Sequence, residues 1–282
     1  MIERLRDDTL NLMKIPGLSG HEDKVRDYIK EAVKKIGLTP TFDKLGNLTI
    51  TFQGTSPRVM LFTHMDQLGL VVRKIEDDGY LRFERVGGVP EKILLGQNIS
   101  VIAKNGKELS GIIGTKSHHA TQPDEKYKVP SYKDLYIDLG LRTASEVLTS
   151  GIDIGSPIVY KPSAEIIGDE KIIGTSVDDR AGCAVLLEVA RQINSRTAGP
   201  EINIVFTVQE EFNLRGALPV AQKIKPEIAI QIDLLLASDT PDMRDFGEIK
   251  LGEGPGISVF SFHGRGTLNG VIPHPVLVKH FE

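Results

Sequence analysis

The sequence predicts an α/β protein: a three-layer α/β/α domain with a mainly parallel sheet, interrupted by an inserted small β-barrel-like domain. Apolar strands alternate with helical periodicity near both ends of the chain, a pattern typical of parallel sheets covered by helices. Between them, closely spaced short strands and turns are typical of a barrel or sandwich. The chain of 282 residues also exceeds one ordinary domain of about 100–200 residues. We therefore predict a discontinuous main domain over residues 1–66 and 164–282, and an insertion over 67–163.

The first predicted helix begins near Ser19 and Glu22, which match an S-x-x-E capping box. Apolar residues then recur at helical spacing as far as residue 36. Two strands are predicted next, at 48–52 and 59–63, and the second is apolar enough to be a central strand.

The insertion is predicted to contain four strands and one short helix near 143–148. The strand sequences are GLVVRKI, YLRFERV, NISVIA and LSGIIG. The polar stretch 116–130 has no periodicity, which predicts a mobile loop.

After about residue 165 the alternation of strands and helices resumes. Helices are predicted over 182–193 and 215–223, and the strands are INIVFTV, IAIQI and the later GISVFSF. We interpret His263, which follows the last of these strands, as structural.

Composition excludes several classes of protein. With 34 Lys+Arg against 38 Asp+Glu there is no basic excess, so no nucleic-acid partner is predicted. The sequence contains no run of about 18 apolar residues, so no membrane span is predicted. The charged N-terminus does not resemble a signal peptide. The sequence thus predicts a soluble cytoplasmic protein. The single Cys183 excludes a zinc site built from several cysteines.

Three apolar strands run into residues that can bind a metal, and a carboxylate pair precedes a predicted helix. These residues are His64 and Asp66, then Glu210 and Glu211, then Asp233, and the pair Asp178-Asp179. The carboxyl ends of strands in an open parallel sheet meet along one edge, where functional crevices lie. Charged residues that close buried strands are costly unless they are paired, and a shared cation would pair them.

One histidine among several carboxylates is a donor set suited to Zn, Co or Mn rather than Ca. There are more carboxylates than one tetrahedral site needs, which predicts two ions about 3.5–4 Å apart with one bridging carboxylate. Asp66 lies two residues after His64 and so shares its strand face, from which it can orient the imidazole. Of the adjacent Glu210 and Glu211, one can bind metal while the other serves as a base.

The order of these candidate residues along the chain resembles that in the dinuclear-metal aminopeptidases of the tetrahedral (TET) type, also called the glutamyl aminopeptidase family. The residues are His64, Asp66, Asp178, Asp179, Glu210, Glu211 and Asp233. The surrounding segments FTHMDQLG, SVDDRAG, VQEEFNLRGA and SDTP are also similar to that family, and the similarity covers essentially the whole chain.

The resemblance implies a role for each residue. His64 and Asp233 would be terminal ligands of one metal, Asp178 would bridge both metals, and Glu211 would be a terminal ligand of the other. Glu210 would be the general base and Asp66 the partner that orients His64. The resemblance also implies a cis peptide bond between Asp178 and Asp179.

The implied activity is removal of N-terminal residues from short peptides by a metal-bridging water and a glutamate base. Two divalent ions per subunit, Zn, Co or Mn, and self-association into dodecamers are also implied. The insertion would serve assembly and substrate access. Members of this family supply a further histidine from an R-Y-x-H-S segment that does not occur before Glu282. We therefore expect this 282-residue form to bind fewer ions and to be poorly active.

Two alternatives remain open on the residues alone. A glycoside hydrolase could use Glu210 with Asp178 or Asp233 as an acid and base pair. The absence of Trp, with only 10 Phe and 6 Tyr, leaves few platforms for sugar stacking, and His64 would have no role. The other alternative is a homologue that binds metal without turnover. The preferred N-terminal residue and the physiological metal are not determined by the sequence.

Overall fold

The computed structural model describes residues 1–262 and 270–282, which form two compact units, 1–232 and 233–282. Five helices occur in the first unit: α1 (Ile2–Met13), α2 (Asp23–Lys34), α3 (Ala144–Thr149), α4 (Val177–Ile193) and α5 (Ala217–Ile224). The strands outside the inserted barrel are β1 (Thr41–Phe42), β2 (Leu48–Phe52), β3 (Thr55–His64), β10 (Ala164–Ile167), β11 (Lys171–Gly174), β12 (Pro200–Thr207) and β13 (Ile228–Gln231).

The main sheet has the strand order β1-β2-β12-β3-β13 and is mixed. Strand β12 is parallel to β3, and β13 is also parallel to β3, whereas the β1–β2 and β2–β12 pairings are antiparallel. The prediction of a mainly parallel sheet is therefore wrong. Only residues 53–54 join β2 to β3, so these strands run in opposite directions, and β12 between them can be parallel to only one.

Helices cover both faces of this sheet. Ile204 and Phe206 of β12 pack in a cluster that contains buried residues of α1, α2 and α4. Val205, the residue between them, packs instead with Met60 and with Val220 of α5. Successive side chains of a strand point to opposite faces, so α4 and α5 lie on opposite sides of β12.

The predicted small β-barrel is confirmed. A closed barrel has the strand order β4-β5-β8-β7-β6-β9. Its strands are β4 (Gly69–Ile75), β5 (Leu81–Val86), β6 (Asn98–Ile102), β7 (Glu108–Gly114), β8 (Tyr136–Asp138) and β9 (Pro157–Tyr160). Phe83, Val101 and Ile137 are almost fully buried in one core inside it. The polar stretch 116–130 contains no strand and only a short 3-10 turn at His118–Ala120.

Several elements and one cap differ from the sequence prediction. The elements that were not predicted include helix α1, the β10–β11 hairpin and the barrel strands β8 and β9. The capping box is wrong, because the side chain of Glu22, the N-cap of α2, makes no capping hydrogen bond to that helix. The hydroxyl of Ser19 instead donates to Asp66, and the carboxylate of Glu22 accepts the backbone N–H of Gly20 and of Gln209. Both side chains are thus drawn into tertiary contacts.

The second unit contains β14 (Ser261–Phe262), β15 (Gly270–Val271) and α6 (Pro275–Phe281). Strands β14 and β15 pair antiparallel. Only the last two residues of the predicted strand GISVFSF are in a strand, because a strand forms only where a partner pairs with it and β15 is two residues long. His263 lies outside the described residues. In the ranges described, no helix combines the length and the apolar character needed to cross a membrane.

Candidate metal centre and active site

The imidazole of His64 lies at the end of β3, beside the end of its parallel neighbour β12. The His64 side chain is 2% exposed, and its Nε2 lies 3.0 Å from Oδ1 of Asp178 and 3.9 Å from Oε2 of Glu210. Asp178 belongs to the start of α4, and Glu210 follows β12. The fold therefore brings an imidazole and two carboxylates from three separate segments to one place.

Asp178 and Asp179, at the start of α4, have different surroundings. The Asp178–Asp179 peptide bond is cis, and both residues have non-helical backbone angles. Asp179 is fully buried, where Oδ1 accepts the N–H of Gly182 at 3.0 Å and the other oxygen accepts the hydroxyl of Thr63. A Cβ at Gly182 would collide with both of these groups, so only glycine fits. Asp179 thus anchors the helix, while the Asp178 side chain remains 55% exposed beside His64.

Asp66 connects His64 to the loop that follows β12. It is fully buried. Its Oδ1 accepts the N–H of Glu210 at 2.9 Å and lies 3.4 Å from Nδ1 of His64. Its Oδ2 accepts the N–H of Glu211 at 3.1 Å and the hydroxyl of Ser19 at 2.5 Å. Sequence reasoning anticipated the contact with His64 but not the two hydrogen bonds that hold the glutamates.

Burial and neighbouring charges shift the pKa values of Glu211, His64 and Asp66. Burial and then the charge of Asp178 raise the pKa of Glu211 to about 8. Burial opposes charge on His64, but hydrogen bonds to Asp178 and Asp66 raise the pKa of the imidazole well above its usual value. Burial would raise the pKa of Asp66, but the hydrogen bond and charge of His64 lower it below its usual value. A divalent cation would relieve this repulsion, and an imidazole with several carboxylates is a donor set that fits Zn, Co or Mn.

Asp233 follows the strand next to β3. The N–H of Ile232, the residue before it, donates to the carbonyl oxygen of Phe62 at 2.8 Å. This hydrogen bond continues the parallel pairing of β13 with β3, so the chain leads toward the edge where β3 ends. Asp233 itself is the first residue of the second unit.

Arg180 is a site residue that sequence reasoning did not identify. Its guanidinium is fully buried, and its Nη2 donates to Oε1 of Gln67 at 3.2 Å and to the carbonyl oxygen of Ile15 at 3.4 Å. Within residues 1–262 and 270–282, its Nε and Nη1 have no hydrogen-bond partner. Burial lowers the pKa of Arg180 to about 10, against the attraction of nearby groups that include Asp66. Its place directly after the Asp178-Asp179 pair was the available signal.

Cys183 is a buried structural residue. Its thiol is fully buried and lies 3.2 Å from the carbonyl oxygen of His64. Burial raises the pKa of this thiol to about 12, which leaves it un-ionised at neutral pH.

A small cavity of about 120 Å³ adjoins the His64 and Glu210 side chains. Phe62, Leu214 and Ala217 supply apolar parts of its wall. There is therefore space for a small group beside the carboxylate of Glu210.

The sequence of this chain matches a known protein family. Residues 46–282 match the sequence profile of the M42 glutamyl aminopeptidases. A protein of Escherichia coli (strain K12) named as a putative aminopeptidase, SgcX, is 36% identical over 99% of this chain and 75% of its own length.

Solved structures agree with the sequence match. An aminopeptidase from the archaeon Desulfurococcus kamchatkensis superposes with a TM-score of 0.89, at 33% identity over 99% of this chain and 75% of that one. The TET1 peptidase of Pyrococcus horikoshii, described as assembling into a tetrahedron or a large octahedral shell, has a TM-score of 0.77 and 31% identity. That match covers 90% of this chain and 73% of that one. A Thermotoga maritima structure described as an endoglucanase is 30% identical, with a TM-score of 0.70, over 96% of this chain and 78% of that one.

Proposed function

The chain belongs to the M42 glutamyl aminopeptidase family of metal-dependent peptide hydrolases, and we propose that it removes N-terminal residues from short peptides at the centre around His64. The observation that carries the proposal is the meeting of His64 with the carboxylates of Asp178 and Glu210 at the end of β3.

Four side chains would hold the metal ions. We propose that His64, Asp178 and Asp233 bind one ion, and that Asp178 and Glu211 bind a second. Zn, Co or Mn would supply Lewis acidity, which activates water and polarises a carbonyl group.

Glu210 is proposed to be the general base. Its backbone N–H is held by Asp66, and its carboxylate lies near His64, so it can accept the proton of an attacking water and pass it to the leaving amine. The neighbouring carboxylates can hold the α-ammonium group of a peptide, which would restrict cleavage to the N-terminus. Asp66 orients His64 and the glutamate loop, and Asp179 anchors the start of α4.

The wider organisation is proposed on the same basis. A catalytic domain of three α/β/α layers would comprise residues 1–66 and 164–282, and the barrel within 67–163 would serve assembly and substrate access. Self-association is supported by the TET peptidases that this chain resembles, and a dodecamer is the proposed form. A cytoplasmic location remains part of the proposal.

The test is turnover of aminoacyl-p-nitroanilides by the chain loaded with Co or Zn. Any peptidase activity that the chain shows should be removed by chelator and restored by added metal. Glu210→Gln should lower kcat by about 10²–10⁴-fold, the usual contribution of a positioned base, and still bind metal. Glu31→Gln on the exposed surface of α2 is the matched control.

Near-normal turnover by Glu210→Gln would remove that residue as the base. Metal-independent hydrolysis of a β-glucan, without peptidase activity, would favour the glycoside hydrolase alternative. That alternative has less support, because it leaves the buried imidazole of His64 without a role.

A further inference from the structure

We propose that Glu22 is a positioning residue that holds the loop carrying Glu210 and Glu211 in its working conformation. The catalytic consequence rests on the proposed function. The structural consequence can be measured without any activity. Glu22 lies directly before α2, far from that loop in sequence, and is 4% exposed.

The loop after β12 is held through three consecutive backbone N–H groups. The N–H of Gln209 donates to Oε1 of Glu22 at 3.1 Å. The next two, those of Glu210 and Glu211, donate to the two oxygens of Asp66 at 2.9 and 3.1 Å. The buried carboxylates of Glu22 and Asp66 therefore both accept hydrogen bonds from this loop, and Glu22 holds its first residue.

The backbone conformation of Gln209 needs such support. Its φ is 55°, in the left-handed region that residues other than glycine rarely adopt. Such a conformation persists only where surrounding contacts stabilise it. The hydrogen bond from Glu22 is made to the backbone of that residue, at the point where the chain leaves β12.

The carboxylate of Glu22 is not used to begin α2. Glu22 is the N-cap of that helix, but its side chain makes no capping hydrogen bond to it. Its Oε1 accepts instead the N–H of Gly20 at 2.7 Å and that of Gln209. Loss of the carboxylate therefore frees the loop without removing a helix cap.

Two buried carboxylates so close to each other need a nearby positive charge. The charge of the buried guanidinium of Arg180 interacts favourably with both Asp66 and Glu22.

The consequence is a kinetic effect on chemistry rather than on binding. A general base must lie within hydrogen-bond reach of the proton that it removes. A displacement of about 1 Å can cost about 10²-fold in rate. A loosened loop should therefore lower kcat and leave KM nearly unchanged.

The experiment compares Glu22→Ala, Glu22→Gln and the control Glu31→Ala, all in the full metal-loaded chain. Glutamine keeps an acceptor oxygen for the Gln209 N–H, whereas alanine does not. Glu31 is an exposed residue of the same region, paired only with Lys34 at the surface. Each variant is assayed for kcat and KM on aminoacyl-p-nitroanilides, and for hydrogen exchange resolved to the Gln209 amide.

We expect Glu22→Ala to lower kcat by about 10–100-fold with KM changed less than about threefold. Its Gln209 amide should exchange at least about tenfold faster. Glu22→Gln should restore both to within about threefold, and Glu31→Ala should change neither.

Unchanged exchange at Gln209 in Glu22→Ala would overturn the proposal, as would a change in KM alone or a failure of glutamine to restore both measurements. If the parent chain shows no aminopeptidase activity with Co or Zn, the proposed function fails. The exchange rate of Gln209 then decides by itself whether Glu22 holds the loop.

Discussion

Replacing Asp66 by asparagine exchanges one oxygen of a buried carboxylate for an NH₂ group. Its oxygens accept the N–H groups of Glu210 and Glu211 and the hydroxyl of Ser19, and Oδ1 lies beside Nδ1 of His64. Asparagine keeps one acceptor oxygen and replaces the other by an NH₂ donor. In either orientation of the amide, that donor faces a backbone N–H that has lost its acceptor.

The cost can be worked out from these contacts. The Ser19 hydroxyl can rotate to accept from the new NH₂, but a backbone N–H cannot. One buried N–H left without a partner costs about 1–3 kcal/mol. The Nδ1 of His64 makes its hydrogen bond to the backbone carbonyl oxygen of Asp66 at 3.2 Å, which asparagine keeps. We therefore expect Asp66→Asn to lower the free energy of unfolding by about 1–3 kcal/mol, the cost of the unpartnered N–H. A typical domain has only about 5–15 kcal/mol in total.

Urea denaturation of the metal-free chain, followed by circular dichroism, measures this loss. The control is Asp27→Asn, whose side chain is 63% exposed and pairs with Lys30 at the surface. The control should change the unfolding free energy by less than about 0.5 kcal/mol. If Asp66→Asn is as stable as the control, the buried carboxylate does not hold the glutamate loop, and the reasoning is refuted.

Three further expectations concern metal, pH and the buried arginine. His64→Ala should lower the metal content after dialysis, measured by elemental analysis, because it removes the imidazole from the donor set; unchanged stoichiometry and affinity would exclude His64 as a ligand. In the metal-free chain the pKa of Glu211 is raised from 4.5 to about 8 and that of His64 is also raised, so the stability that both protons contribute should be lost as pH rises. Urea unfolding at pH 6, 7.5 and 9 should show this fall, and a rise in stability over that range would contradict both shifts. Arg180→Met should lower the unfolding free energy by about 3–5 kcal/mol, because it leaves the carboxylates of Glu22 and Asp66 without their buried cation. An equal or higher unfolding free energy would show that burial of the guanidinium, whose Nε and Nη1 find no hydrogen-bond partner among the described residues, destabilises the fold more than its charge stabilises it.

The ends of β3 and β12 could be predicted because burial determines the pattern of apolar residues within each strand. The apolar run before His64 and the one before Glu210 correspond to β3 and β12. The pattern between residues 69 and 114 likewise predicted four of the six barrel strands, β4 to β7. Each of these patterns reports which side chains face a core, and that information lies within a few consecutive residues.

Sheet order and direction were not predictable in the same way. The insertion of β12 between β2 and β3 depends on residues about 150 positions apart in the chain, and no local periodicity records it. The pattern of apolar residues is the same for a parallel and an antiparallel neighbour, so the sequence predicted strands correctly and their mixed arrangement incorrectly.

The sequence by itself determined which residues could bind a metal and that they would close separate strands. Only the tertiary structure decided what supports them. Ser19 and Glu22 match a local capping pattern, yet their side chains contact Asp66 and Gln209, and Glu22 and Gln209 are 187 positions apart. A hydrogen bond of this kind is set by where two distant segments pack, because buried polar groups take whichever partner the fold brings within reach. Local sequence therefore identifies the reactive groups, while packing chooses the groups that hold them in place.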